Sequence, residues 1–259
     1  MSTPSAVETT QEQISAEIEA VHRRYRESLG KGDPPRCQPN LDFAPYRSTI
    51  LRHPLKTLHH IDADTIELCS PIFGHHEVKP EESDLTIQHI GSPLGERMII
   101  AGQVLDGEGR PVPHQLVEVW QANAAGRYAH KQDQHPAPLD PNFTGVGRCL
   151  TDANGGYRFQ TIKPGAYPWG NHLNAWRPAH VHFSIFGTAF TQRLVTQMYI
   201  PGDPLLPLDP IYQSIVDPTP RERLVATYDP GLSTPGWALG YRWNIVLTGS
   251  SPSGPSRKL

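Results

Sequence analysis

Two histidines separated by one residue are the clearest sign of chemistry in this sequence. His180 and His182 stand in the run AHVHFSIF, whose branched and aromatic residues favour a β-strand. Residues i and i+2 of a strand project from the same face, so both imidazoles can reach one metal ion. Imidazole binds iron, copper, zinc and nickel. The pattern alone also fits two surface histidines on a half-buried strand, and that alternative stays open.

The residues around this pair narrow the choice of metal without deciding it. A zinc site needs a third histidine, a cysteine or a carboxylate, together with an open position. A cupin-type site would carry a glutamate about four residues after the second histidine, but Ser184, Ile185, Phe186 and Gly187 follow instead. A ferrous site of two histidines and one carboxylate is possible, although no aspartate or glutamate stands out.

Two tyrosines beside predicted strands offer a different set of ligands. Tyr128 follows Gly126-Arg127, and Tyr167 lies in the run KPGAYPW shortly before the two histidines. Tyrosine is a poor ligand because its pKa is about 10, but the charge of a trivalent cation strongly favours the phenolate. Two phenolates, two neutral histidines and one hydroxide would balance the charge of Fe(III). Tyrosines flanked by glycine and proline also occur as ordinary turn or core residues, so spacing alone does not decide.

The elements that must position these residues are predicted to be short strands. Strand-like runs occupy residues 98–106, 114–122, 147–151, 157–162, 179–186, 193–200 and 241–249. Residues 152–156, DANGG, have the composition of a hairpin turn. Residues 221–229 are predicted to be helical. Six or more short strands with turns about every ten residues favour a β-sandwich or a barrel.

The ends of the chain differ from this β region. Residues 11–29 carry apolar side chains at helical spacing, which predicts an amphipathic helix, and residues 33–56 form a proline-rich, extended arm. We therefore expect an N-terminal helix and arm over residues 1–56, which would make subunit contacts. A catalytic domain would follow over residues 57–250, and a tail over residues 251–259.

The bulk composition excludes several classes of protein. Of the 259 residues, 37% are hydrophobic and 19% are charged, and the formal net charge is −3, which fits a soluble globular protein without a nucleic-acid-binding stripe. No apolar run approaches the roughly 18 residues of a membrane helix, and the N-terminus does not look like a secretory signal. Cys37, Cys69 and Cys149 form neither a zinc motif nor a disulfide framework. The expected location is the cytoplasm.

Several longer motifs resemble one known family. The runs VEVWQANAAGRY, LDPNF, GRCLTD, IKPGAYPW, NAWRPAHVHFSI and TQMYIPGDPL occur in this order and closely resemble the β subunits of protocatechuate 3,4-dioxygenases. These subunits are intradiol ring-cleaving dioxygenases. The resemblance extends from about Tyr46 to Gly249, which is nearly the whole chain after the predicted helix.

The resemblance implies a fold, an activity and a ligand set. The implied fold is mainly β, with an antiparallel β-sandwich core. The implied reaction is the cleavage of a catechol by O2 to a cis,cis-muconate, in an αβ protomer whose α subunit is homologous but lacks the ligands. By the same resemblance one Fe(III) per chain would be held by Tyr128, Tyr167, His180 and His182.

The resemblance also assigns roles around the metal. Tyr167 resembles the tyrosinate that leaves the metal when substrate binds. Arg177 and Gln197 resemble a pair beside the reacting ring, although Arg177 could also form a structural ion pair and Gln197 could satisfy backbone groups. Three further residues resemble residues of the substrate pocket. Trp120 and Trp169 resemble tryptophans that line the pocket wall, and Tyr46 resembles a residue near the substrate's carboxylate. Both tryptophans also fit plain core packing.

One position departs from the family pattern. The related β subunits carry an arginine after the Pro-Trp pair, whereas this chain has Gly170. The change removes a cation and opens volume where an anionic ring substituent would bind. The resemblance implies protocatechuate as the substrate, giving 3-carboxy-cis,cis-muconate, and Gly170 makes 4-sulfocatechol, which would give 3-sulfomuconate, the alternative. A non-catalytic β-sandwich subunit, a zinc hydrolase and a ferrous extradiol enzyme are the competing classes.

Overall fold

The structure, a computed structural model, describes residues 42–53, 56, 77–106, 109–186 and 193–247. The predicted helix at 11–29, residues 33–41, 54 and 55 of the arm, Cys37, Cys69 and the tail at 251–259 lie outside the described residues. Within the described part of the arm, Thr49–Arg52 forms a short helix, so the prediction of an extended chain is wrong there. The chain divides into two compact units. The first unit comprises Met1–His59, Pro168–Arg177 and Pro204–Arg223, and the second comprises the three remaining segments. This division follows packing, so the predicted domain boundaries stay a prediction.

The second unit contains the two main sheets among the described residues. Their strands are β1 (Arg97–Asp106), β2 (Leu116–Gln121), β3 (Val146–Leu150), β4 (Gly156–Ile162), β7 (His180–Phe186), β8 (Arg193–Tyr199), β9 (Thr227–Tyr228), β10 (Ala238–Arg242) and β11 (Ile245–Leu247). Two further two-residue strands are β5 (Tyr167–Pro168) and β6 (Trp176–Arg177). One sheet contains β11, β1, β10, β9 and β4, and the other has the order β3-β2-β7-β8.

Alternation of side chains places the core between these sheets. In β2, Val117 and Val119 are buried while Glu118 and Trp120 are half-buried. In β7, Val181, Phe183 and Ile185 join the same apolar cluster, where they are accompanied by residues of β1 and β4. The imidazoles of β7 therefore lie on the opposite face of the strand from the core. The predicted mainly β, antiparallel sandwich is confirmed.

Short helices belong mainly to the first unit. They are α1 (Thr49–Arg52), α2 (Pro210–Gln213) and α3 (Pro218–Glu222), with a 3₁₀ turn at Leu206–Leu208. The last two helices begin with proline after an aspartate whose side chain accepts a backbone N–H, which is a favourable way to start a helix. A further 3₁₀ turn, Pro80–Ser83, lies in the second unit.

The positions of most strands are predicted correctly, but three details are wrong. The turn at residues 152–156 forms, yet β3 and β4 enter different sheets instead of pairing as a hairpin. The region predicted as one helix over 221–229 contains the end of α3 and then β9. The last predicted strand is two strands, β10 and β11, which both pair in parallel with successive parts of β1.

The cysteine that lies within the described residues is a half-buried thiol that packs against the apolar core. Cys149 of β3 is a free thiol. Burial raises the pKa of its thiol to about 12. A thiol with this pKa is almost entirely protonated at neutral pH, so it is a poor nucleophile and a poor metal ligand.

Candidate active site

The histidine pair lies at the centre of the second sheet. On β7, His182 is opposite Trp120 of β2 on one side and opposite Gln197 of β8 on the other, while His180 is opposite Tyr199. Residues directly opposite each other in a sheet share a face. The strand register therefore gathers two imidazoles, an indole, an amide and a phenol on one surface of this sheet.

A backbone carbonyl fixes the protonation of His180. Its Nδ1 donates a hydrogen bond to the carbonyl oxygen of Pro178 at 2.7 Å. In the neutral ring the proton is therefore on Nδ1, and Nε2 is the unprotonated nitrogen that can bind a metal. This Nε2 is 3.2 Å from Nε2 of His182. Such an arrangement is typical of a metal-binding histidine that is oriented through its second nitrogen.

Tyr167 and Tyr128 complete a compact cluster in the second unit. The hydroxyl oxygen of Tyr167 is 3.4 Å from Nε2 of His180. The two tyrosine rings meet edge to face with their centroids 5.3 Å apart, and Tyr128 lies 6.3 Å from His182, measured between ring centroids. Tyr128 and Tyr167 are both half-buried. All four predicted ligands thus come together, from segments that are far apart in the sequence.

A tight turn brings the two tyrosine segments side by side. The side-chain oxygen of Asn123 accepts hydrogen bonds from the amides of Ala125 and Arg127, which closes a turn just before Tyr128. Gly126 in this turn has a φ of +78°, and a β-carbon there would lie 2.1 Å from the carbonyl oxygen of Ala166. Only glycine permits both this conformation and this close approach. The contact places Tyr128 near Tyr167, the residue after Ala166.

The donor set fits a hard, highly charged metal ion. Two imidazole nitrogens that share one first-row ion at about 2.1 Å lie roughly 3 Å apart, close to the separation between His180 and His182. Within the described residues, no group of three histidine, cysteine, aspartate or glutamate side chains is placed to hold a metal. The oxygen donors beside the pair are phenols, which suit a trivalent ion better than zinc or ferrous iron.

Comparisons with known proteins show to which family this chain belongs. A family model described as "Dioxygenase" matches residues 68–249, and one for the N terminus of the protocatechuate 3,4-dioxygenase beta subunit matches residues 31–63. The protocatechuate 3,4-dioxygenase beta chain of Burkholderia cepacia is 55% identical over 206 residues, which cover 79% of this chain and 87% of that one. The chain belongs to the intradiol ring-cleaving dioxygenases.

Solved structures of this enzyme family share the fold. The 3-chlorocatechol 1,2-dioxygenase of Rhodococcus opacus 1CP is 25% identical with a TM-score of 0.51, and the match covers 66% of each chain. The hydroxyquinol 1,2-dioxygenase of Pseudomonas putida DLL-E4 has a TM-score of 0.51 at 22% identity, over 93% of this chain and 84% of that one. The family models and the relative from Burkholderia cepacia confirm the resemblance to protocatechuate 3,4-dioxygenase β subunits and the assignment as a ring-cleaving enzyme. No helix among the described residues of this dioxygenase is long and apolar enough to cross a membrane.

The remaining predicted residues of the dioxygenase fall into the two units. In the second unit, the indole of Trp120 stacks on the ring of His182 with centroids 4.7 Å apart and planes 2° apart. The side-chain oxygen of Gln197 accepts a hydrogen bond from the hydroxyl of Tyr199 at 3.0 Å, so one partner of this amide is a side chain. The roles of Trp120 and Gln197 in the reaction stay predictions.

In the first unit, Tyr46, Trp169 and Arg177 form a separate group. The rings of Tyr46 and Trp169 are 5.1 Å apart, and the guanidinium of Arg177 lies 5.6 Å from the centre of Trp169. Arg177 also forms a buried ion pair with Asp209 at 2.7 Å, as the structural alternative anticipated. Gly170 is exposed, and a β-carbon there would meet nothing within 4 Å.

Sequence reasoning missed several residues that hold these groups in place. The carbonyl of Pro178, the hydroxyl of Tyr199, Asp209 and the buried Asn171 all contact predicted site residues or their neighbours. Only Tyr199 carried a usable signal, since it lies two residues after Gln197 on a predicted strand and must share its face. The others depend on local backbone geometry or on contacts between distant segments.

Proposed function

We propose that this dioxygenase binds one Fe(III) through Tyr128, Tyr167, His180 and His182 and cleaves a catechol with an acidic para substituent. With protocatechuate and O2 the product would be 3-carboxy-cis,cis-muconate. The observation that supports this most directly is the convergence of three donor atoms. His180 Nε2 lies 3.2 Å from His182 Nε2 and 3.4 Å from the Tyr167 oxygen. Intradiol dioxygenases generally depend on non-haem iron.

The protein groups prepare this site for a catechol. A catechol would bind a ferric ion held by these residues through both of its oxygens, and the ion would favour their deprotonation and draw electron density from the ring. The Tyr167 phenolate and a hydroxide would be suitable acceptors for the two protons, so a separate histidine base is not needed. The carbonyl of Pro178 orients the ring of His180 and fixes its tautomer, while the stacked indole of Trp120 fixes the plane of His182.

Arg177 is proposed to stabilise negative charge that develops on the ring. Its guanidinium is charged at any working pH, and it has five donor N–H groups. The ion pair with Asp209 and the contact with Trp169 hold it in one orientation. A fixed cation stabilises developing charge without reorganising during the reaction. Gln197 is proposed, from the family resemblance, to act as a neutral polar contact to the ring.

The visible spectrum tests the metal and its ligands together. The protein, purified with its partner, should be wine-red, and anaerobic addition of protocatechuate should shift its charge-transfer band to longer wavelength. Tyr128→Phe should remove much of the band per iron, whereas Tyr228→Phe, an exposed tyrosine of β9, should leave it unchanged. A colourless protein with full iron or zinc occupancy would refute phenolate ligation. A zinc enzyme or a non-catalytic subunit would then be the better hypothesis.

We propose that the enzyme recognises the para substituent of the catechol near Gly170. An added β-carbon at this position would meet nothing within 4 Å, so a side chain can start there without a clash at its first atom. We expect Gly170→Arg to raise kcat/KM on protocatechuate relative to 4-sulfocatechol, and Gly170→Gln to serve as the uncharged control of similar length. A strict preference for protocatechuate that Gly170→Arg does not change would refute a role for this position.

A homologous α subunit is proposed as the partner of this chain. The relative from Burkholderia cepacia is named a beta chain, and a family model for the N terminus of such β subunits matches here. Co-expression with the α chain should yield an αβ protomer in a larger oligomer, with one iron per β chain. A cytoplasmic location is part of the same proposal, and fractionation of cells tests it. If the isolated β chain catalyses the reaction at the same rate as the αβ enzyme, the chain does not need the α subunit for catalysis.

A further inference from the structure

We infer that Asn171 is a positioning residue that holds Tyr46 in place and thereby sets how the enzyme recognises the acidic substituent of its substrate. The inference rests on the role proposed above for Tyr46. Neither the ligand set nor the family pattern assigns any function to Asn171. The evidence is the pattern of hydrogen bonds that its side chain makes within the first unit.

The amide of Asn171 binds the backbone on both sides of Tyr46. Its Oδ1 accepts a hydrogen bond from the N–H of Arg47 at 2.9 Å, and its Nδ2 donates to the carbonyl oxygen of Pro45 at 2.7 Å. Asn171 is only 4% exposed. A buried side chain that needs both a donor and an acceptor can be asparagine or glutamine, but neither aspartate nor alanine meets both needs. The two bonds fix the backbone position of Tyr46.

The segment that carries Tyr46 is a closed turn, and Asn171 attaches it to another loop. The hydroxyl of Thr49 donates to the carbonyl oxygens of Phe43 and Tyr46, and the N–H of Tyr46 donates to Phe43 as well. These bonds give the turn its own shape. The bonds from Asn171 connect this turn to the loop that contains Trp169, Gly170 and Ala175, where the N–H of Trp169 donates to the carbonyl of Ala175.

The ring of Tyr46 lies within a defined environment as a result. It contacts Trp169 at 5.1 Å, and the guanidinium of Arg52 lies 5.0 Å from its centre. Asn171 directly follows Gly170, the position at which the chain departs from the family pattern. Tyr46 and Gly170 are the two residues proposed to recognise the acidic group. Asn171 holds the first through two hydrogen bonds to the neighbouring backbone and is the sequence neighbour of the second. A displacement of a contact group by about 1 Å can lower activity by about 100-fold.

The experiment compares ligands with and without the acidic group. Dissociation constants are measured anaerobically from the shift of the visible band in the assembled enzyme, for protocatechuate, 4-sulfocatechol and catechol. We expect Asn171→Ala to raise the constant of the preferred acid by about 10- to 100-fold, and that of catechol by less than about 3-fold. Asn174→Ala, an exposed asparagine of the same loop, is the control and should change neither.

A double variant separates positioning from general loss of structure. If Asn171 acts through Tyr46, Asn171→Ala should cost little more in a Tyr46→Phe background than Tyr46→Phe costs by itself. Equal weakening of catechol and the acids, or full additivity of the two variants, would overturn the inference. If Asn171→Ala does not fold, Asn171→Asp keeps the acceptor for Arg47 and loses the donor to Pro45, so the same comparisons apply to it.

The failure of this inference differs from failure of the proposed function. A wild-type enzyme without a phenolate band refutes the proposed ligand set, and titration calorimetry then replaces the spectrum for the Asn171 variants. A wild-type band with unaltered discrimination in the Asn171 variants refutes only the positioning role.

Discussion

At the scale of single residues, the candidate site depends on side chains that neighbouring groups hold in one orientation. His180 has one ring nitrogen bound to the carbonyl of Pro178 and the other aimed at His182. The motif His-Val-His predicted the shared face, because alternation along a strand is a property of any sequence. It could not predict the carbonyl partner, because that contact depends on how the backbone enters β7.

The ion pair between Arg177 and Asp209 gives a prediction about stability. Both side chains are almost fully buried, so Asp209→Asn would leave a buried cation without its counter-ion. Breaking a buried pair in this way costs about 3–5 kcal/mol. We expect the free energy of unfolding to fall by that amount, measured by urea denaturation. A loss in kcat should accompany it if Arg177 acts on the ring.

Asp217→Asn is the matched control for this change. Asp209 and Asp217 each accept a backbone N–H at the start of a helix that begins with proline, and asparagine can do the same. Asp217→Asn should therefore alter the free energy of unfolding by less than about 0.5 kcal/mol. If the two variants lose the same small amount, the pair with Arg177 does not contribute to the stability of the first unit.

At the scale of elements, turns and strand register assemble the cluster. The strands were predictable from periodicity, and their register then brings Trp120, Gln197 and Tyr199 to the histidines. The failed hairpin shows the limit of local signals. Residues 152–156 do form a turn, but whether the flanking strands pair depends on which strands compete for their edges. β4 pairs with β1, a strand about 50 residues earlier, and no local pattern encodes that choice.

The turn at Gly126 gives a prediction that separates geometry from stability. In Gly126→Ala, a left-handed backbone and a contact of 2.1 Å with the Ala166 carbonyl would force the two tyrosine segments apart. Overpacking of this kind costs about 1–3 kcal/mol. We expect a loss of that size in the free energy of unfolding, together with a changed visible band per bound iron, measured on the purified αβ enzyme.

Gly155→Ala provides the comparison for this variant. Gly155 is also a buried glycine with positive φ, and its added β-carbon would lie 2.6 Å from the Val104 carbonyl oxygen, in the turn between β3 and β4. It should be destabilised to a similar degree, but its band per iron should equal that of the wild type. Identical spectra for both variants would mean that the Gly126 turn does not set the position of the tyrosines.

At the scale of the whole molecule, the sandwich of the second unit holds the candidate site on one face of a sheet and its own core on the other. Alternation along a strand predicted that both histidines of β7 share one face, and the buried Val181 between them lies on the other face. The amino-acid sequence could not reveal that β10 and β11 both run parallel to β1, because this pairing joins the two ends of the β region. The family resemblance supplied what periodicity left open, namely the choice between sandwich and barrel.

Phe183 tests whether this core supports the site from behind. Its ring is fully buried and packs against three aromatic rings of the core, with centroids 5.8 Å from Tyr157, 6.1 Å from Phe159 and 4.8 Å from Trp243. Phe183→Ala removes these contacts and leaves a cavity, which costs about 3–5 kcal/mol. Val195→Ala, a half-exposed residue of β8 in the same sheet, should cost less than about 0.5 kcal/mol.

The same variant should leave the chemistry of the folded protein almost intact. Phe183 and His182 are neighbours on β7 but point to opposite faces, so the visible band per iron should stay the same while the urea midpoint falls. A loss of stability below about 1 kcal/mol would contradict the view that Phe183 joins the two sheets. An unchanged urea midpoint with an altered visible band would mean instead that the ring of Phe183 affects the histidines through the backbone of β7. The two faces of this strand would then not be independent of each other.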